Sequence, residues 1–216
     1  MRIDDFAKLI EHLPTEVNSE RIYEKNWKVQ SQQEIVKNIF NNKDFVQISR
    51  NEIRSEVNNI NVFIIKTLMW GYPTKGRGNN IDNLLIDESF KRISKLLLKY
   101  KALENITFDE LVNDFKINKI KGLGISTLSK FLYFLELKVE NNPCLILDDR
   151  LIEIINSSSF EEINDLKGIK REYSLKTYSK TNYLDFLQSL NHIAKKLNVK
   201  PEKVEMFLFF FGKNLY

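Results

Sequence analysis

Ile120-Lys121-Gly122-Leu123-Gly124-Ile125-Ser126-Thr127 decides what fold this chain can take, and Pro143-Cys144-Leu145-Ile146-Leu147-Asp148-Asp149-Arg150 is its companion. Upstream, Thr107-Phe108-Asp109-Glu110 has the form of a capping box, in which threonine and glutamate side chains satisfy orphan N–H groups reciprocally. A helix is predicted from there to about Lys116. Gly122 and Gly124 then permit a tight turn with no Cβ in the way, so backbone N–H groups can approach an anionic oxygen. A second helix is predicted to open at Ser126 or Thr127, with Leu128, Phe131, Leu132 and Leu135 at helical spacing. Its N-terminus aims the positive end of the helix dipole at the turn, which favours phosphate, and Lys121 and Lys130 add charge nearby. A phosphate grip followed by a carboxylate at Asp148 points to DNA and to breaking a bond in it. Taken alone, the two glycines serve as well to end one helix and begin the next.

Outward from this stretch the apolar pattern is helical nearly everywhere. Ser49-Arg50-Asn51-Glu52 is a second capping box, predicted to open one helix with Ile53, Val57, Ile60, Ile64 and Leu68 as its stripe and an end near Trp70-Gly71. Helical periods recur at Phe90, Ile93, Leu97 and Tyr100, and at Leu187, Leu190, Ala194 and Leu197. Pro201 fits a first helical position, with Val204, Phe207, Leu208 and Phe211 as the buried face. Shorter helices are predicted over Asp4 to Leu13 and Gln30 to Phe40, while Glu172 to Tyr183 reads as loop or a short hairpin. With no repeat and no Gly/Ser linker, residues 1–216 are read as a single mostly α-helical unit, its N-terminal helices facing the turn-bearing helices across a cleft.

Composition narrows the class. The 216 residues are 43% apolar and 29% charged, which excludes a disordered chain, and no run approaches 18 uncharged apolar residues, so no membrane partner is expected. The net charge of +4 permits nucleic-acid binding without demanding it, so a DNA-binding face has to come from local clustering. Cys144 is the only cysteine, which rules out an internal disulfide. His12 and His192 have no second histidine at metal spacing, so no metal site is assigned. Met1 to Asp5 lacks the basic start and apolar core of a signal peptide, and the expectation is a cytoplasmic monomer.

Ile120 to Lys130 resembles the helix-hairpin-helix element of the DNA glycosylase superfamily, and Asp148 falls where that superfamily carries its aspartate, shortly after a proline. In 8-oxoguanine and adenine DNA glycosylases the segment between hairpin and aspartate is a few residues shorter. The chain is more similar still to the bacterial 8-oxoguanine DNA glycosylase fold (OGG-fold) proteins. Three elements carry the likeness in the right order: Met69-Trp70-Gly71-Tyr72, Leu145-Ile146-Leu147-Asp148-Asp149-Arg150, and the acidic, phenylalanine-rich Val204-Glu205-Met206-Phe207-Leu208-Phe209. Together they span roughly residues 60–212. The chain departs from the pattern at Pro73, where the family leads one to expect glycine.

The resemblance implies two packed helical lobes with a hairpin near residues 108–136, an aspartate loop over 143–150, and a DNA-binding cleft between the lobes. It implies cleavage of the N-glycosidic bond of a damaged or modified base in double-stranded DNA, the base being turned out of the helix. Asp148 would stabilise an oxocarbenium-like sugar and activate water, although aspartate is also a good N-cap and Asp149 is an adjacent rival. Gly122, Gly124, Lys121, Ser126, Lys130, Arg150, Lys75 and Arg77 are the candidate DNA contacts. Arg150 could equally pair with Asp149 or Glu153. Trp70 and Tyr72 are candidate stacking surfaces for the extruded base, against the alternative of a core tryptophan beside a solvated cationic loop. The phenylalanine run at 207 and 209–211 reads more simply as a helix buried on most sides than as a ligand pocket. A lysine two residues after the second hairpin glycine serves as Schiff-base nucleophile in bifunctional members. Ser126 stands there, Lys130 lies a helical turn further on, and an intact strand bearing an abasic site is the expected product. No cofactor is expected beyond a monovalent cation on hairpin carbonyls, and one cysteine cannot build the four-cysteine iron–sulfur cluster of some relatives. A DNA-binding protein of this fold without chemistry, and an enzyme turned on the hypermodified bases of foreign DNA, remain open alternatives.

Overall fold

Helix ends follow the local sequence closely. The computed structural model describes residues 1–76 and 78–215. In chain order these form α1 (Ala7–Glu11), β1 (Ser19–Tyr23), α2 (Gln33–Phe40), β2 (Phe45–Ser49), α3 (Arg50–Ser55), α4 (Ile60–Gly71), α5 (Asn80–Leu85) and α6 (Asp87–Lys101). There follow β3 (Asn105–Ile106), α7 (Phe108–Asn118), α8 (Ile125–Phe134), β4 (Lys138–Val139), β5 (Asn142–Pro143), α9 (Asp149–Asn156), α10 (Tyr183–Lys196) and α11 (Pro201–Phe211). Both predicted capping boxes are present, Ser49 with Glu52 at α3 and Thr107 with Glu110 at α7, and a third, Asn182 with Asp185, opens α10. Pro201 occupies the first turn of α11.

The structure differs from the sequence-based expectation in two places. The stripe from Ile53 to Leu68 is two helices, because α3 stops at Ser55 and Asn59 restarts the chain by accepting a hydrogen bond from Val62 N at 3.4 Å. An antiparallel pair, β1 with β2, appears where no strand was expected, with Ser19 opposite Ser49 and Tyr23 opposite Phe45. Each strand has only five residues and the partner lies beyond α2, so neither carries a local signature. Of the two readings of the segment before α10, the structure has the loop, with a short 3-10 turn at Arg171–Tyr173.

Buried apolar side chains form one contiguous cluster. At its centre α4 buries Phe63, Ile64, Ile65, Leu68, Met69 and Trp70, and it packs against α8, α6, α2 and both strands of the β1–β2 pair. A small sheet of β3, β4 and β5 carries the chain from α8 back towards α9. Three hydrogen bonds then hold the run into Asp148: Cys144 N to Leu137 O (2.9 Å), Tyr183 Oη to Leu145 O (2.7 Å) and Leu147 N to Ser129 Oγ (3.0 Å). The last ties the aspartate loop directly to α8.

Between α7 and α8 the two glycines are used differently. Gly122 has φ +88°, and a Cβ there would stand 2.7 Å from the carbonyl oxygen of Asn80, so this glycine lets the start of α5 press against the turn. Gly124 is extended (φ −104°, ψ 177°), caps α8 without a side chain, and would meet no other atom within 4 Å if given a Cβ. Accordingly, Gly122→Ala should lose roughly 1–3 kcal/mol in urea unfolding, whereas Gly124→Ala should stay within about 0.5 kcal/mol of wild type. Equal stabilities for the two variants would refute this division.

Candidate active site

Asp148 is the N-cap of α9, its Oδ1 accepting from Leu151 N at 3.1 Å, and the side chain is half-buried. It lines a cavity of about 200 Å³ together with Asn18, Glu20, Arg50, Trp70, Lys130 and Glu205, with Phe209 and Phe210 on the α11 side. At ~30 Å³ per water this is the space of six or seven water molecules, the scale of one planar base. A wider, more open depression of about 640 Å³ along β2 shares no lining residue with it. Asp149 is exposed and pairs with Arg171, so of the two adjacent carboxylates Asp148 is the one on the cavity.

Several candidate residues are placed other than the sequence suggested. Lys130 is no surface cation: it is 4% exposed, and its Nζ donates to Ser126 O (2.9 Å) and Ser126 Oγ (3.2 Å) inside the cavity wall. Tyr72 does not line the cavity. Its hydroxyl bonds Thr127 Oγ1 at 2.7 Å and its ring lies 5.3 Å from the Lys130 ammonium. Trp70 does line it, edge-on to Phe134 at 5.3 Å. Lys75 is neutralised by Asp82 at 2.8 Å and also donates to Lys28 O, so it is not a free loop cation. Arg150 pairs with neither Asp149 nor Glu153; its guanidinium covers the Phe209 ring at 4.9 Å. Lys121 remains exposed beside the turn. Arg77 lies outside the described residues. The helix of the phenylalanine run is buried on most sides, Val204 to Leu208 without a break, while Phe209 and Phe210 also reach the cavity wall.

Sequence reading missed the charged floor of the cavity. Arg50, 2% exposed, donates from Nη1 to Tyr133 Oη (2.8 Å) and Glu205 Oε2 (3.4 Å), and its guanidinium lies 5.2 Å from the Trp70 ring. Tyr133 in turn donates to Glu202 Oε2 at 2.6 Å, where Arg54 Nη2 also arrives at 2.8 Å. Burial opposes ionisation of Glu202, but the bonds from Tyr133 and Arg54 outweigh it and hold this carboxyl below the ordinary range. Glu205 goes the other way: burial, aided by the negative charge of Asp148, pushes it up to about 7 despite Arg50. The available signal was a glutamate set in the apolar run Val204 to Phe211.

The model of the family described as "Putative 8-oxoguanine DNA glycosylase OGG-like protein" matches residues 14–209. The chain belongs to this OGG-like glycosylase family. Comparisons with curated proteins and with solved structures each return no match. Among the described residues no helix is long and apolar enough to cross a membrane, and no three His, Cys, Asp or Glu side chains group as a metal site.

The Glu205 environment has a measurable consequence. In the fold the carboxyl stays protonated up to about pH 7, while in the unfolded chain it ionises near the ordinary value of 4.5. Stability from this group is therefore present at low pH and lost as pH rises between those values, a loss on the order of 3 kcal/mol. Glu205→Gln should flatten the fall in unfolding free energy between pH 5 and pH 8. An unchanged slope would show that Glu205 is ionised throughout.

Proposed function

We propose that the protein excises a base from double-stranded DNA by hydrolysing its N-glycosidic bond, with Asp148 as the catalytic carboxylate. The observation that carries this reading is the position of Asp148. It stands on an aromatic-walled cavity of base size and is joined through Leu147 and Ser129 to the helix whose N-terminus opens at Gly124. Breaking a glycosidic bond builds positive charge on the sugar, so a fixed carboxylate attracts the transition state more than the ground state. At ~3.5 Å and an effective dielectric near 20 the attraction is roughly 4–5 kcal/mol, on the order of a thousandfold in rate before screening. Oδ1 is engaged by the cap, and Oδ2 is the atom offered to sugar or attacking water. Trp70, Phe209 and Phe210 supply apolar faces against which an extruded base can stack, offsetting the few kcal/mol that extrusion costs.

Duplex DNA is held, in this reading, by the α7–α8 turn acting as a hairpin. Where α7 is closed by Thr107 and Glu110, α8 begins on a bare glycine with no side-chain cap, so its first N–H groups are left for phosphate. The backbone bonds of the turn, Leu123 N to Ile120 O and Thr127 N and Leu128 N to Gly124 O, leave the intervening carbonyls for a monovalent cation bridging to that phosphate. Lys121 lies beside the same turn.

Asp148→Asn should lower base release about a thousandfold on whichever duplex is turned over. Its stability should be unchanged, because asparagine caps a helix as well as aspartate does, and duplex affinity should hold within about threefold. The assay is a panel of modified duplexes, bulky phage-type bases included, followed by alkali to reveal abasic sites. Normal turnover by Asp148→Asn, or loss of turnover in Asp149→Asn instead, would sink the assignment. Gly124→Val should weaken modified and unmodified duplexes alike, by roughly tenfold, while the protein stays folded. Weakening confined to modified DNA would remove the phosphate grip.

A further inference from the structure

Positive charge is concentrated in one loop that the chemistry above leaves idle. Between residues 167 and 180 stand Lys167, Lys170, Arg171, Lys176 and Lys180 against a single acid, Glu172, an excess equal to the +4 of the whole chain. Of the five cations Arg171 alone has a carboxylate partner among the described residues, Asp149, while Lys167, Lys170 and Lys180 are exposed. Two tyrosines stand among them. Tyr178 is 75% exposed and Tyr173 44%, and Lys176 Nζ reaches both rings, 4.4 Å from that of Tyr173 and 5.6 Å from that of Tyr178. A cation covers one face of a ring, so at this exposure Tyr178 keeps a flat face open to solvent. An ordinary solvated surface interleaves its lysines with carboxylates, because like charges crowded together repel. Here they are interleaved with tyrosines instead.

The backbone beneath these side chains is fixed. Ile169 and Leu175 are buried, Gly168 N donates to Asn156 Oδ1 (2.8 Å), Asn156 Nδ2 donates to Ile169 O (3.0 Å), and Tyr183 N donates to Ser174 O (2.8 Å). Asn156 is the last residue of α9 and Asp149, the partner of Arg171, is its first, so the loop touches both ends of the helix that Asp148 caps. We infer that this loop is a second nucleic-acid contact, its lysines meeting the phosphates of a strand and Tyr178 stacking on a base that lacks a pairing partner. Stacking needs the flat face of a base, which a continuous duplex keeps inside its own stack, so the loop favours an unpaired strand. An acidic peptide would answer the charge and leave the tyrosines unused. None of these residues lines the Asp148 cavity, so the contact is separate from any bond the protein breaks. In the excision reading it has a use, since a base turned out of the duplex leaves the one opposite without its partner.

The test uses the full chain and two fluorescent probes of unmodified DNA, a short single strand and a continuous duplex containing it, with affinity followed by anisotropy over a range of salt concentrations. In the triple variant Lys167→Gln, Lys170→Gln, Lys180→Gln, the loss of three phosphate contacts at roughly 0.7 each should lower the slope of log affinity against log salt by about 2 on the single strand. Tyr178→Ala should weaken the single strand about tenfold and leave the duplex nearly unchanged. Lys91→Gln, on the exposed side of α6, should alter neither. All the substituted side chains are exposed, and thermal unfolding checks that each variant is folded. An unchanged slope in the triple variant, a Tyr178→Ala loss of equal size on both probes, or a wild-type affinity for polyglutamate matching that for the single strand would overturn the inference, the last marking an acidic-peptide surface. The probes carry no modified base, so turnover plays no part and Asp148→Asn should bind them as the wild type does. Excision of a modified base without this binding pattern counts against the loop alone, and the pattern without excision of any base in the panel counts against the proposed function alone.

Discussion

The buried guanidinium of Arg50 is the constraint on which the geometry around the cavity depends. It meets Tyr133 on α8, Glu205 on α11 and the face of Trp70 on α4, so four helices share one set of directional contacts at the cavity floor. A buried charge of this sort is weak evidence for net stability, since its desolvation opposes the attraction of its partners. Removing one partner is a different matter: an uncompensated charge in the core costs about 3–5 kcal/mol. What the arrangement contributes is placement. Apolar packing alone tolerates sliding of one helix past another, whereas a guanidinium with fixed donor directions accepts only one relative position.

The charges on either side of Tyr133 differ in kind. Glu202 receives bonds from Tyr133, Arg54 and Thr15 and is held ionised, while Glu205, with Arg50 as its main partner and Asp148 nearby, is driven towards its neutral form. Two glutamates one helical turn apart on α11 are thereby separated in protonation behaviour by their surroundings.

Elements that declare themselves through adjacent residues were legible in the sequence. The capping boxes at Ser49 and Thr107, the Gly-x-Gly turn, Pro201 and the Asp148 cap all depend on groups within a few residues of one another, and each is found where the pattern placed it. The β1–β2 pair was not legible, because its register is set across the whole of α2. The candidate site divides in the same way. Asp148, Trp70 and the residues of the α7–α8 turn stand in recognisable local motifs. Arg50, Glu205 and the cavity-facing phenylalanines acquire meaning only when α3, α4 and α11 converge, and a side-chain direction such as that of Lys130 follows from Gly71, which is distant in sequence and adjacent in space.

Nearly every residue of α8 is buried, including Ile125 and all of Thr127 to Phe134, and the Ser129–Leu147 bond couples the aspartate loop to it. The helix that would hold the phosphate and the loop that would present the acid are therefore parts of one rigid body, with no hinge between them among these contacts. In the proposed role such a molecule would work as a fixed gauge and not as a clamp: the span from turn to carboxylate would be constant, and a strand would satisfy both ends only by adjusting its own shape. Selection among bases would then fall on how readily the nucleic acid deforms to fit that span, which would place the burden of discrimination on the substrate's mechanics before any edge of the base is read.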